Sequence, residues 1–457
     1  MSLGSRFYRQ KGRVTMDENE LMGSMKVSKA VAKMAIPSVI SSLVTVVYNM
    51  ADTFFVGQTG DPLQVAAVSL TNPIFILFMA FANMFGMGGS AAASMALGEK
   101  KEKRVKQVSS FIIYASLIVG IVFAAILLVG MQPVLQLFGA DADTYELAKG
   151  YTTYISYGAP FIIWSAAASF VVRADGASRE AMTGSMIGTV ANIILDPIFI
   201  SGFGMGAAGA AIATTIGNIM ASVYYLWYFC RKSRNMSMAF RYFKCGDRIL
   251  SQVCSAGLPT AIFSALMSIS TIILNQILVA YGNAPVAAIG IVFKANMFIT
   301  FLQMGLANGV QPLLGYSYGA GNRERFITVE RYTKKCCLIV GVLATALFFF
   351  FREPIIRLFI SDTEVINYGV EMLIAYMISG PVIGILFMNM NCMQSTGNAL
   401  PATILSILRQ GVLLIPVLYG LNALLGLHGV IYGQALTDYV AVLLSIVIWR
   451  WKRRKTL

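Results

Sequence analysis

The chain has 457 residues, of which 57% are hydrophobic and only 12% charged, with a mean hydropathy of +0.70. An ordinary soluble domain is about 25% charged, so a soluble globular fold is excluded and the bilayer is the relevant solvent. A formal charge of +14 would suit nucleic acid or a membrane surface, and the position of the Lys and Arg residues relative to the apolar runs decides between them.

At roughly 20 apolar residues per spanning helix, the length accommodates about a dozen spans. Apolar runs bounded by Gly, Pro and charge clusters predict helices near 34–57, 63–97, 108–131, 150–172, 181–203, 207–229, 250–281, 286–318, 336–351, 367–393, 401–419 and 426–449. Stretches such as 108–130 and 435–448 are apolar all round, not alternating, which excludes a β-barrel. The expected fold class is an all-α integral membrane protein with twelve transmembrane helices. Of 35 Lys and Arg, 30 fall on one side if both termini are cytoplasmic, and three (Lys149, Arg352 and Arg357) fall on the other. Lys294 and Arg409 lie inside spans. The asymmetry predicts a multi-pass protein of the cell membrane with both ends in the cytoplasm. The basic charge is then a topology signal that also meets anionic headgroups, and no nucleic-acid partner is expected.

Six cysteines (Cys230, Cys245, Cys254, Cys336, Cys337 and Cys392) show no CxxC pair, so neither a disulfide framework nor a zinc site is indicated. The one histidine, His428, sits at a helix entry. No cleavable signal peptide is visible in the polar, basic stretch 1–33.

An internal repeat is present. Pro37 is matched by Pro259, Val65–Val68 by Val286–Ile289, Gly98 by Gly319, Pro160 by Pro381, and Arg173–Gly176 by Gln394–Gly397, at an offset of 221 or 222 that slips to 219 at Pro197 and Pro416. Six spans per half keep both halves in the same orientation, related by an axis along the membrane normal. The expected organisation is a cytoplasmic segment 1–33, a first lobe 34–229, a cytoplasmic linker 230–249, a second lobe 250–449 and a basic tail 450–457.

Pro37 in the first span, the Tyr48-Asn49-Met50-Ala51-Asp52-Thr53 run at its outer end, the Gly98 and Gly319 loops and the Asn192-x-x-x-Asp196-Pro197 segment resemble the multidrug and toxic compound extrusion (MATE) family over nearly the whole chain. The resemblance implies two six-helix lobes around a V-shaped central cavity, and an antiporter that exports cationic drugs against inward-moving sodium ions or protons. It is strongest to the prokaryotic branch with an acidic site in the first lobe, whose cation-site positions fall on Asp52, Asn192, Asp196 and Thr214. The branch with its ion site in the second lobe carries an acid in span seven, and none occurs from Pro259 to Ala280.

The residues themselves point the same way, because an ionisable group at membrane depth is costly and by default a functional candidate. The acidic candidates are Asp52, Asp196, Glu371 and Asp438, the basic ones Lys294 and Arg409. At about 1.5 Å per residue, Asp52, Asp196 and Thr214 lie roughly 8–10 Å below the outer ends of three helices, in one layer. Asn192 is one turn below Asp196 on the same face. Two carboxylates, an amide oxygen and a hydroxyl suit a hard cation such as sodium, and paired buried carboxyls equally suit proton carriage. Capping or loop water is the structural alternative for the acids, and interhelical hydrogen bonding for Asn192 and Thr214. Pro37 and Pro197 are hinge candidates.

In the second lobe, Lys294 and Asp438 form a candidate ion pair with Arg409 as a third member, read as structural or gating. Glu371 is expected to be solvated, and so are the charged stretches 99–106 and 323–335. The 25 Met and 28 Phe residues include material for a promiscuous pocket for flat cations. No enzyme activity, cofactor or tightly bound metal is expected. The expected partners are small organic cations and membrane lipids, and the expected working unit is a monomer. The alternative is a flippase or exporter of a lipid-linked or other amphipathic substrate of the same two-lobe ancestry. Such an anion would require unpaired Lys or Arg in the cavity.

Overall fold

The computed structural model describes residues 20–233, 235–246 and 248–456. The basic stretch 1–19, part of the expected cytoplasmic segment, lies outside them.

Twelve spans emerge from the sequence pattern. They are α1 (Val27–Gly57), α2 (Pro62–Gly98), α3 (Glu102–Val129), α4 (Tyr145–Ala174), α5 (Ser178–Pro197, continued by a π-helical turn Ile198–Gly202) and α6 (Gly206–Arg231) in the first half. The second half holds α7 (Ile249–Val279), α8 (Asn283–Gly319), α9 (Arg323–Phe350), α10 (Thr363–Ile378 with Gly380–Ser395), α11 (Ala399–Ile407, a π-helical stretch Leu408–Leu413, and Leu414–Leu425) and α12 (Leu427–Thr456). Eleven described helices are long and apolar enough to cross a membrane, and the two parts of α10, bent by 44°, make the twelfth. Several helices begin earlier than hydropathy suggests: α1 starts at Val27, not near 34, and α9 at Arg323, not near 336. Backbone hydrogen bonding continues past the hydrocarbon edge, whereas hydropathy stops at the first charges.

Helix starts follow capping chemistry. Asp61 accepts from the Leu63 amide at 2.9 Å with proline next in the chain, and Asn322 accepts from the Arg325 amide at 2.9 Å. The bend in α10 follows from Pro381, which cannot donate to the preceding turn. The carbonyls loosened there are met from other helices. Thr345 donates to Met377 O (3.1 Å), Tyr439 to Ile378 O (3.0 Å) and Gln303 to Gly380 O (3.3 Å), as a backbone in lipid requires. By contrast α4 runs unbroken through Pro160, the repeat partner of Pro381.

The two halves meet through the ends of the helices on the side where the described chain begins and ends. A Cβ added to Gly98 would lie 2.2 Å from Tyr316 O, and one added to Gly319 would lie 2.0 Å from Met95 O. The two glycines matched by the repeat thus allow α2 and α8 to touch backbone to backbone, reciprocally. Gly88 against Val253 O and Gly257 against Met84 O, each at 1.9 Å for an added Cβ, do the same for α2 and α7. Small residues at such crossings replace a hydrophobic driving force that lipid cannot supply.

The linker between the halves is a docked strap. Ser109 both donates to Ser237 O (3.1 Å) and accepts from its amide (3.0 Å), Tyr114 donates to Met238 O (2.9 Å), and Ser110 donates to Ala239 O (3.2 Å). Phe240 and Phe243 stack on each other beside Phe111 and Tyr114. The stretch 323–335, expected to be solvated, also carries buried anchors. Glu330 is 2% exposed and accepts from Lys334 (2.5 Å), Trp449 Nε1 (2.7 Å) and Arg453 (3.3 Å), fixing α12 to α9. Arg325 donates to the carbonyls of Leu21, Met22 and Met25 at 2.8–3.1 Å, pinning the segment before α1 to the second half.

Candidate functional site

The four residues singled out in the first half converge. Asp196 is completely buried, Asn192 and Thr214 are buried, and Asp52 is partly buried. Local sequence explains the placement. Pro197 removes an amide donor, and α5 passes directly into a π-helical turn, a distortion that commonly marks a functional position. Asp196 and Asn192 are one turn apart on the same face of α5. With its carboxamide oriented to satisfy both ends, Asn192 donates to Asp196 Oδ2 at 2.9 Å and accepts from the Thr214 hydroxyl at 3.1 Å. Tyr48 OH lies 3.2 Å from the same hydroxyl. A hydrogen-bonded chain therefore runs from Tyr48 on α1, through Thr214 on α6 and Asn192, to Asp196.

One oxygen of each carboxylate, Asp52 Oδ1 and Asp196 Oδ1, is buried without a hydrogen-bond partner among the described residues. Asp52 and Asp196 are close enough for their charges to interact, and Tyr48 and Tyr151 lie within electrostatic reach of the pair. Tyr48 stands in the quoted motif, one turn before Asp52, but Tyr151 was not identified from the sequence. It lies near the start of α4 between Gly150 and Thr152, and nothing in its spacing connects it to α1 or α5. Of the two hinge candidates, Pro197 adjoins an irregular turn, whereas α1 runs unbroken through Pro37.

The first half contains a buried cation, Arg173, just beyond the predicted span 150–172. Arg173 is 7% exposed, in the last turn of α4, with its guanidinium 5.0 Å from the Phe170 ring. It is some 22 residues from Tyr151, about 33 Å along the helix, so it does not neutralise Asp52 or Asp196.

In the second half the expected pairing is corrected. Asp438 pairs with Arg409, whose Nε is 2.8 Å from Oδ1, and the same oxygen accepts from Gln434 at 3.0 Å. Lys294 is half-buried and forms no hydrogen bond or ion pair with another described residue. Arg409 reaches Asp438 because the π-helical stretch Leu408–Leu413 turns it inward, a local distortion that regular helical spacing does not reveal. Glu371, expected to be solvated, lies 2.6 Å from His428 Nδ1.

The family model MatE matches the chain twice, over residues 37–198 and 259–419. The multidrug export protein MepA of Staphylococcus saprophyticus is 33% identical over 422 residues, covering 92% of this chain and 93% of that protein. MepA of Staphylococcus aureus is 32% identical with the same coverage. Among solved structures, an outward-facing multidrug resistance MATE family transporter of the MOP superfamily superposes with a TM-score of 0.91 at 25% identity, covering 96% of this chain and 98% of that one. A MATE structure in a bent conformation gives 0.88 at 26% identity, covering 95% and 97%. With the duplicated family match, the kinship to multidrug export proteins over 92% of the chain and the fold shared with solved MATE structures, the chain belongs to the MATE family of multidrug efflux transporters.

Proposed function

We propose that this transporter exports organic cations in exchange for protons or sodium ions entering at Asp52, Asn192, Asp196 and Thr214. The observation that carries the proposal is the pair of buried carboxylate oxygens on Asp52 and Asp196 that lack a partner, in a layer otherwise satisfied by Asn192, Thr214 and Tyr48. An acid held at membrane depth with an open oxygen invites a cation or a proton. A sodium ion would find oxygen ligands of the hard type it prefers. A proton would find two carboxylates whose mutual repulsion its binding relieves. Either occupant changes the charge that α1, α5 and α6 share, so coupling follows from differential affinity of the two conformations for ion and drug. The names of the MepA relatives support multidrug export as the outcome.

Both termini are cytoplasmic in this reading, with lobes 34–229 and 250–449 joined by the linker 230–249, in the cell membrane. Pro197 and Pro37 are the hinges about which the ion-site helices yield. The test is accumulation of a fluorescent organic cation in bacteria lacking their own efflux pumps. Cells expressing the chain should accumulate less than empty cells, and Asp196→Asn at matched levels should accumulate as much as empty cells. Unimpaired efflux by Asp196→Asn would sink the assignment of the site. No effect of the unmutated chain would transfer the proposal to an amphipathic, lipid-linked substrate.

A further inference from the structure

The two halves treat the carboxylates of Asp52, Asp196 and Asp438 in opposite ways. The first half holds Asp52 and Asp196, each with an open oxygen and with no ion pair among the described residues. The second half holds Asp438, whose carboxylate has a cation of the protein itself placed on it. That cation also lies over two aromatic faces. The Arg409 guanidinium carbon is 5.2 Å from the centroid of Phe263 and 5.7 Å from that of Phe387, and the two rings meet edge to face at 6.1 Å and 81°. Both distances are within cation–π range. The four side chains come from four helices, α11, α7, α10 and α12, and each is less than 8% exposed.

The hydrogen bonding of Arg409 is unlike that of a structural bracket. A buried guanidinium that holds helices together ordinarily has its donors satisfied. Here Nε reaches Asp438, Gln434 supports the carboxylate from the next turn, and Nη1 is buried without a partner. The guanidinium is held by charge and ring faces more than by a complete set of acceptors. An aromatic wall with one carboxylate is the chemistry that recognises a small organic cation. It is present in the second half, and it is filled.

We infer that the core of the second half is a cation box plugged by the chain's own Arg409, and that Arg409 is the residue that confines added cations to the first half. The vacated box would take a planar monocation of guanidinium size. The functional consequence rests on the reading of this transporter as a cation exporter, but the occupancy of the box does not.

The test is binding of methylguanidinium chloride to purified, detergent-solubilised Arg409→Ala, followed as the thermal midpoint. The variant should melt lower than the unmutated protein. Methylguanidinium should raise its midpoint saturably by several degrees, while equal sodium chloride and the neutral isostere methylurea should not. The rise should vanish when Asp438→Asn is added and persist when Asp196→Asn is added, so a failure of the first-half site does not affect the result. If Arg409→Ala is recovered only as aggregate, it is purified with methylguanidinium throughout, and recovery of a monodisperse peak supports the box. Arg409→Met, which keeps the volume without the charge, should be destabilised and unresponsive. No saturable rise and no recovery with Arg409→Ala, an equal rise in the unmutated protein, or an Arg409→Met variant as stable as the unmutated protein would each overturn the inference.

Discussion

At the scale of residues, the first-half site depends on who shares which oxygen. Thr214 is the junction: its hydroxyl serves Asn192 and Tyr48 at once. Thr214→Val keeps the shape and removes the junction, leaving two buried polar groups short of a partner at about 1–3 kcal/mol. We expect a several-fold loss of cation efflux with expression preserved, measured as the initial rate of dye export from loaded cells. Tyr48→Phe should produce a smaller loss, since only the end of the chain is removed. Asp52 and Asp196 were legible in the sequence because an acid in an apolar run is expensive wherever it points. Tyr151 was not, because a tyrosine near a helix end has many inexpensive solutions, and only packing of α4 against α5 and α6 brings it to the acids.

At the scale of elements, polar anchors decide which segments are fixed. Asp175, between α4 and α5, is buried and accepts from Tyr228 OH (2.8 Å), Ser233 (2.7 Å) and Asn235 (2.9 Å), which ties the start of the linker to the first half. Burial pushes its carboxyl above the usual range, while the three donors oppose that shift. Asp175→Ala strands those donors at about 1–3 kcal/mol, and the linker should be cleaved by added protease several-fold faster in the detergent-solubilised protein. An unchanged cleavage rate would mean that the contacts from Ser109, Ser110 and Tyr114 hold the strap alone. The linker's basic, polar composition correctly marked its place between the halves. Composition did not reveal that it docks, because the acceptors involved are backbone carbonyls and any sequence supplies those. The same limit applies to Arg325, whose three carbonyl partners before α1 lie some 300 positions away.

At the scale of the whole molecule, the halves touch where the repeat placed glycines. Gly319→Val would set a branched side chain where a single Cβ already lies 2.0 Å from Met95 O, forcing α2 and α8 apart at a cost of about 1–3 kcal/mol or more. The thermal midpoint in detergent should fall. In Gly319→Val, a cysteine placed at Ser94, which is fully buried in the same contact, should be labelled faster by a thiol reagent than in the Gly319 background, read by mass spectrometry of the labelled peptide. Equal labelling would show that the burial of Ser94 does not depend on this crossing.

Length, hydropathy, the distribution of Lys and Arg and the 221-residue repeat were sufficient to determine the all-helical membrane class, the number of spans and the duplication. The duplication is read by comparing the chain with itself, and the class and the number of spans are set by transfer free energy, which depends on composition within a single segment. The acids of the first half followed for the same reason. The pairing of Asp438 with Arg409 instead of Lys294, the anchoring of Glu330, the burial of Arg173 and the break in α10 were decided only in three dimensions. A buried charge must find a partner, but which partner depends on helix rotation, on π-helical turns that shift the register of one face, and on contacts between segments far apart in the chain.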